Sequence, residues 1–234
     1  METTTTDKKS IGTLREKTLH ATLKHYFEPD ETKHEIRMGA FIADIVTDDN
    51  IIEIQTRAFD RLRKKLTEFL QIAPVVIVYP IPKTKWLLWI DEQTGEVTKK
   101  RKSPRRGHIC DAIFELYKIK SFLNHPNFHF CIIFVDTEEY RYLNGWSKDK
   151  KKGSTRYDRI PVEIAEEIWF NETADYLQFI PTELQQPFTS KDYKSAAKTN
   201  LQTAQTTLNI LNHLEVVKRI GKQGNSYIYE RVTD

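Results

Sequence analysis

Two short, nearly unbroken apolar runs constrain this chain most. Residues 75–79 read VVIVY and residues 128–136 read FHFCIIFVD. A strand with one wet face alternates apolar and polar side chains. A strand that is apolar at successive positions is buried on both faces, which requires a sheet with helices on each side. The first run is expected to stop at Pro80 and Pro82, because proline donates no ladder hydrogen bond. Residues 108–123 between the runs read as a helix. Residues 58–70 form an amphipathic helix with Phe59, Leu62, Leu66, Phe69 and Leu70 at helical spacing. Residues 86–90 and 97–99 suggest a hairpin around Thr94-Gly95. Upstream, Ser10 caps a helix reaching Phe27, with Leu14, Leu19, Leu23, Tyr26 and Phe27 as its apolar contacts. The order is that of an α/β fold with a mixed central sheet flanked by helices, and there is no internal repeat.

The chain has 234 residues, 39% hydrophobic, with 26 aromatic side chains, which is enough for a real core and excludes a disordered chain. No apolar run approaches the roughly 20 residues needed to cross a bilayer. The first residues (METTTTD) lack the pattern of a signal peptide. Cys110 and Cys131 show neither disulfide nor zinc spacing. A soluble, cytoplasmic protein is expected. The net charge is only +3, but cations cluster in three blocks: Arg57, Arg61, Arg63, Lys64 and Lys65; residues 99–106; and residues 148–152. Residues 160–187 hold six acids and no Lys or Arg. Such blocks are either solvated loops or an anion-binding surface.

The segment 38–46 reads MGAFIADIV, and 51–55 reads IIEIQ, with the turn sequence TDDN between them. A four-residue loop sets Val46 opposite Ile51 and therefore Asp44 opposite Glu53. With side chains alternating, Phe41, Ala43, Ile45, Ile52 and Ile54 form the apolar core face, while both acids share the other face, their Cβ atoms about 5 Å apart. Like charges so placed destabilise a sheet unless something compensates. A divalent cation with oxygen ligands, Mg²⁺ or Mn²⁺, would do so. The bland alternative is a solvated hairpin face with one acid protonated or paired to Arg.

Asp44-x8-Glu53-x-Gln55 on a hairpin, followed by the basic helix 58–70, resembles the PD-(D/E)XK superfamily of restriction-endonuclease-like nucleases. The resemblance covers roughly residues 10–136. It implies a restriction-endonuclease-like fold and a metal-dependent endonuclease hydrolysing DNA phosphodiester bonds. Asp44, Glu53 and the backbone carbonyl of Ile54 would bind the metal, and Gln55 would position the attacking water. Glu16 would add the first-helix acid of resolvase-like branches; it lies in line with Leu19 and Leu23, and its alternative is a surface residue paired with His20. Glu35 is another candidate for that acid. Ala43 stands where the superfamily name has Pro, and Gln55 where it has Lys. An amide can orient water but supplies no positive charge, so Arg57 or Lys64 is expected to provide it, with Arg61 also on the nucleic-acid face. The alternative function is an inactive nuclease-fold DNA-binding module.

A domain boundary is expected within 147–159, separating a nuclease-like domain (10–155) from a second domain (160–234) that begins with helices. Residues 188–232 resemble a winged helix-turn-helix. A short helix opens at Thr189. A longer one opens at Thr199 or Asn200, with Leu201, Ala204, Leu208, Leu211 and Leu214 on its buried stripe. Segments 216–220 and 226–231 make the wing. The resemblance implies that Gln202, Gln205, Thr206 and Asn209 face base edges and that Lys218, Arg219 and Lys222 contact phosphates. Protein packing or dimerisation with a second copy is the alternative. His125 and His129 lack a third ligand at metal spacing, the four Trp residues are assigned to packing, and no phosphate loop supports ATP chemistry.

Overall fold

The computed structural model describes residues 17–144 and 155–232. Helix α1 (Lys17–Phe27) leads into a meander of β1 (His34–Met38), β2 (Phe41–Val46) and β3 (Ile51–Ile54). A 3₁₀ turn (Phe59–Leu62) then runs into α2 (Arg63–Phe69), followed by β4 (Val75–Ile90), β5 (Arg101–Lys102) and α3 (Ile113–Lys118). The long strands β6 (Phe128–Tyr142) and β7 (Thr155–Phe170) complete one sheet, ordered β1-β2-β3-β4-β6-β7, with β5 on β4. Pairing is antiparallel through β1, β2 and β3, parallel for β3–β4 and β4–β6, and antiparallel again for β6–β7. The chain is thus α/β, with a large mixed sheet flanked by helices.

Both central strands are buried on two faces, as their composition requires. Leu62, Leu66, Phe69, Ile113 and Leu116 cover one side of the sheet over Ile51, Val75, Ile77 and Phe130. Leu19 and Leu23 of α1 cover the other over Ile45, Ile52, Ile54, Val76, Val78 and Ile133. Each fully buried aliphatic side chain of this kind contributes about 1.5–3 kcal/mol. The second helical layer corrects the one-sided hairpin core inferred from alternation: Ala43 and Ile51 pack under α2 and α3, while Ile45, Ile52 and Ile54 pack under α1.

Three elements differ from expectation. The strand expected at 38–46 is two strands, turning at Gly39, whose φ of +60° suits glycine. Strand β4 does not stop at Pro80 and Pro82. The Gln55 N–H donates to the Val78 carbonyl, so Val78 points its peptide groups toward β3. Residues 80 and 82 share that orientation, and β3 has already ended, so neither proline interrupts a ladder. The helices expected from Ile160 are replaced by strand and a 3₁₀ segment (Thr173–Phe179). Strand β7 lies at the sheet edge, where Pro161 is tolerated. Three register shifts against β6 break its alternation. The expected boundary, 147–159, therefore runs from the β6–β7 connection into the first residues of β7, and 145–154 lie outside the described residues.

Beyond the large sheet, β8 (Phe188–Thr189), α4 (Ser190–Ala196), α5 (Leu201–His213), β9 (Val217–Gln223) and β10 (Ser226–Arg231) form a small helical unit with a three-stranded sheet. Thr189 caps α4 in a reciprocal box with Asp192, and the Asn200 side chain accepts from Thr203 N–H to cap α5. Ala204, Leu208, Leu211 and Leu214 are buried as expected, whereas Leu201 is exposed. Phe170, Tyr176, Phe179, Phe188, Tyr193 and Leu208 belong to the same apolar cluster as the large sheet. Among the described residues no helix is long and apolar enough to cross a membrane.

Candidate functional site

The β2–β3 hairpin opens at the end away from its turn. Val46 pairs with Ile51 and Ile45 with Ile52, so Asp44 and Glu53 are the next opposed residues. There the two strands are bridged by side chains: the Ile54 N–H donates to Asp44 Oδ2 at 2.8 Å, and the Asp44 N–H donates to Glu53 Oε1 at 3.2 Å. The two carboxylates are thereby held by each other's strand. They line one pocket of about 350 Å³ with His20, Gln55, Leu62 and Lys65.

Two flanking helices each send one polar side chain inward. His20 Nε2 of α1 lies 3.1 Å from Asp44 Oδ2. Lys65 Nζ of α2 lies 2.6 Å from Glu53 Oε2, with the Glu53 side chain only 4% exposed. Burial and the neighbouring Asp44 charge push the Glu53 carboxyl up to about 7, against the opposing pull of Lys65. Asp44 moves the other way. Burial raises it, but the His20 hydrogen bond and charge, the Ile54 N–H and Lys65 together hold it below the usual carboxylate range. Near neutrality the pair is an ionised Asp44 beside a Glu53 that readily holds a proton.

The cation beside the acids is Lys65, not Arg57 or Lys64. Arg57 and Lys64 are exposed, as is Arg61. Lys65 lies in line with Leu62 and Phe69, three and four residues away on the buried side of α2, a spacing that distinguishes it from its neighbours. His20, three residues before the buried Leu23, carries the same signal on α1. Gln55 and Ile54 line the pocket, and the Gln55 amide donates to the Arg57 carbonyl at 2.7 Å. Glu16 lies outside the described residues. Glu35 is paired instead with Lys24 at 2.9 Å.

The C-terminal residues are dispersed differently. Gln202 and Gln205 are exposed on α5 and Thr206 is half-buried. Asn209 is engaged from the main body, its Oδ1 accepting from Lys120 Nζ at 3.0 Å. Lys218 lies 3.5 Å from Glu230. Arg219 stacks 4.2 Å from the Tyr227 ring centre, with Lys222 4.9 Å from the same ring. In the acidic stretch, Glu166 reaches Lys83 at 2.8 Å, from a strand and not from a helix.

The family described as "Domain of unknown function (DUF8091)" matches residues 17–171. The chain belongs to this family. The matched segment begins with α1 and ends one residue past β7, so in this chain it contains the large sheet, its helices and the carboxylate pocket. A protein of Treponema pallidum (strain Nichols), described as "Uncharacterized protein", is 30% identical over 151 residues, 64% of this chain. The chain spans 57% of the length of that relative. No solved structure matches.

As a cation site the pocket offers hard oxygen donors. Among the described residues no group of three or more His, Cys, Asp and Glu side chains is placed to hold a metal ion. The donor set is two carboxylates with backbone and solvent oxygens, which suits Mg²⁺ or Mn²⁺ and not a softer metal.

Proposed function

We propose that this chain is a metal-dependent nuclease of the restriction-endonuclease-like type that hydrolyses DNA phosphodiester bonds. The observation that carries the reading is the convergence of Asp44, Glu53 and Lys65 in one pocket, drawn from a hairpin and the helix after it. The order of a helix, an antiparallel meander, a helix and a parallel strand supports it. So does the Glu53 carboxyl, raised by burial and then by the Asp44 charge, since a bound cation would offset both.

In this reading Asp44 and Glu53 hold a Mg²⁺ or Mn²⁺ ion, with Ile54 offering its carbonyl. That ion, when bound, supplies Lewis-acid polarisation of a phosphoryl oxygen and a more acidic water. Gln55 orients the attacking water through its amide. Lys65 supplies the positive charge that Gln55 lacks, neutralising charge that develops on the phosphate. His20 holds Asp44 in place through its 3.1 Å contact. The C-terminal unit is read as a winged helix, with Gln202 and Gln205 exposed and Thr206 half-buried on α5 to approach DNA, and with Arg219 and Lys222 on the wing. Asn209 is assigned to docking against Lys120. A second reading, a nuclease fold that binds DNA without cutting it, draws on the Gln55 amide being turned to the Arg57 carbonyl.

One assay tests both. Supercoiled, linear, branched and single-stranded DNA are incubated with the protein in Mg²⁺, Mn²⁺ or EDTA, alongside Asp44→Ala, Glu53→Ala and Lys65→Ala. Cleavage that needs metal and disappears in all three variants is expected. Binding without cleavage of any substrate hands the function to the second reading. Variants that cut as well as the parent protein refute the site.

A further inference from the structure

A second pocket, of about 250 Å³, adjoins the carboxylate site across Thr56, which lines both. It occupies the step left where β3 ends and β4 continues. Tyr79, Pro80 and Pro82 form its wall, and Lys85, Arg105 and Arg159 reach into it from three separate segments. The loop carrying Arg105 is pressed onto β4: Ser103 N–H donates to the Lys85 carbonyl at 2.8 Å. A Cβ on Gly107 would sit 2.4 Å from Ile81 Cγ2 and 2.5 Å from the Pro82 carbonyl oxygen. Only glycine allows that approach, so the loop's position is built into the fold.

The charges behind the pocket do not balance. Glu139 is fully buried, and Lys85, Arg141, Arg156 and Arg159 all pair with it, Lys85 at 3.7 Å, Arg156 at 3.5 Å and Arg159 at 3.2 Å. Four cations share this one carboxylate; Asp111, the acid that also lines the pocket, is paired with Arg105, and the cations outnumber the acids. The crowding of cations acts on the titration of the members. Burial, then the three arginines against the pull of Glu139, lowers Lys85, while Glu139 is driven down to about 2 by the surrounding cations despite its burial. Arg159 is only 17% exposed, and its Nε–H is buried with no acceptor among the described residues. One edge of the Arg159 guanidinium is held by Glu139 and its Nε–H is left without a partner, so the group keeps unused donor capacity beside an open pocket, as an anion would require.

We propose that the pocket of Lys85, Arg105 and Arg159 binds a tetrahedral phosphate group. Guanidinium forks match phosphate oxygens in geometry as well as charge. The anion site stands on its own geometry; assigning its phosphate to a nucleic-acid strand, placed next to Asp44 and Glu53, rests on the proposed function. The strand supplies that group either as a terminal phosphate or as a backbone phosphodiester.

The test uses the full chain in EDTA and reads thermal stabilisation by inorganic phosphate against chloride at equal ionic strength. Arg105 is 77% exposed and its side chain pairs with Asp111, so Arg105→Gln folds whatever its role; Arg159→Lys keeps the charge on Glu139 but loses the fork. Both are expected to weaken phosphate binding about tenfold or more, while Glu53→Gln leaves it unchanged. No stabilisation beyond chloride, equal affinity in both Arg variants, or loss in Glu53→Gln alone overturns the site. A second arm compares 5′-phosphorylated and 5′-hydroxyl forms of one oligonucleotide. Tighter binding of the phosphorylated form, abolished by Arg105→Gln, assigns the pocket to strand ends. Equal binding, weakened in both Arg variants, assigns it to the backbone. Oligonucleotide binding indifferent to both variants overturns the nucleic-acid source. Phosphate binding that persists in a protein inert toward every DNA refutes the nuclease reading and leaves the anion site standing.

Discussion

Replacing Glu53 by Gln should make the metal-free protein more stable at alkaline pH than the parent, and the gain should vanish in acid. The Glu53 carboxyl has an ordinary value of 4.5 and is held at about 7 in the folded chain. An acid raised on folding binds its proton more tightly in the native state. Its stabilising contribution is therefore fully present below 4.5, falls as pH rises through the interval, and is gone above about 7. At about 1.4 kcal/mol per pH unit, that interval amounts to about 3 kcal/mol. Asp44, shifted downward, acts only below its own ordinary value of 3.8 and does not enter this window. Glutamine keeps the size of the protonated side chain but cannot ionise. Its carbonyl oxygen can still accept from Lys65, as the protonated Glu53 does, so the two proteins match in acid. The assay is urea unfolding in EDTA from pH 4.5 to 8.5. The difference between variant and parent should grow by about 3 kcal/mol in favour of the variant across that range. A difference that stays flat, or grows toward acid, refutes the raised carboxyl and with it the claim that Asp44 and Glu53 press on one another.

Lys65→Ala should reduce DNA cleavage at least about 100-fold, while Lys64→Ala, one residue away but exposed, should stay within about twofold, as read from initial rates. Gly107→Ala should destabilise the chain by about 1–3 kcal/mol in denaturant unfolding, because its Cβ meets backbone at Pro82. A chain cut after residue 144 loses β7 and uncovers the partner face of β6. Ile132, Ile133 and Phe134 then lose their neighbours, so the fragment should aggregate or bind a hydrophobic dye, as light scattering and fluorescence will show.

The α/β class was legible because residues 75–79 and 130–135 are apolar on successive positions, and only a sheet covered on both faces satisfies that pattern. The acid pair was legible too, since the four-residue turn sets the register and register alone opposes Asp44 to Glu53. What alternation could not show is that the acid face is itself roofed by α2, because helix placement is a tertiary fact. The same roof selects Lys65 over Lys64 by direction along the helix, which a count of basic residues does not resolve. Strand β7 hid behind its bulges: three register shifts scatter Glu163, Glu166 and Glu167 among apolar residues in a pattern without period two. The length of β4 hid behind its prolines, whose tolerance depends on where a neighbouring strand happens to end.

That early end of β3 has a further consequence. Past Val78, that side of β4 has no strand beside it until β5, and only the loop around Gly107 lies against it; a short gap of this kind is where another chain's strand could begin to add. Pro80 and Pro82 occupy the two positions whose N–H groups would have pointed outward there. The flank consequently keeps carbonyl acceptors and offers no donor, so an incoming strand finds only half of the ladder it needs. Proline here withholds two donors from that edge while leaving the notch beside Thr56 open to smaller visitors, and a Pro80→Val, Pro82→Val chain should show the difference as increased self-association.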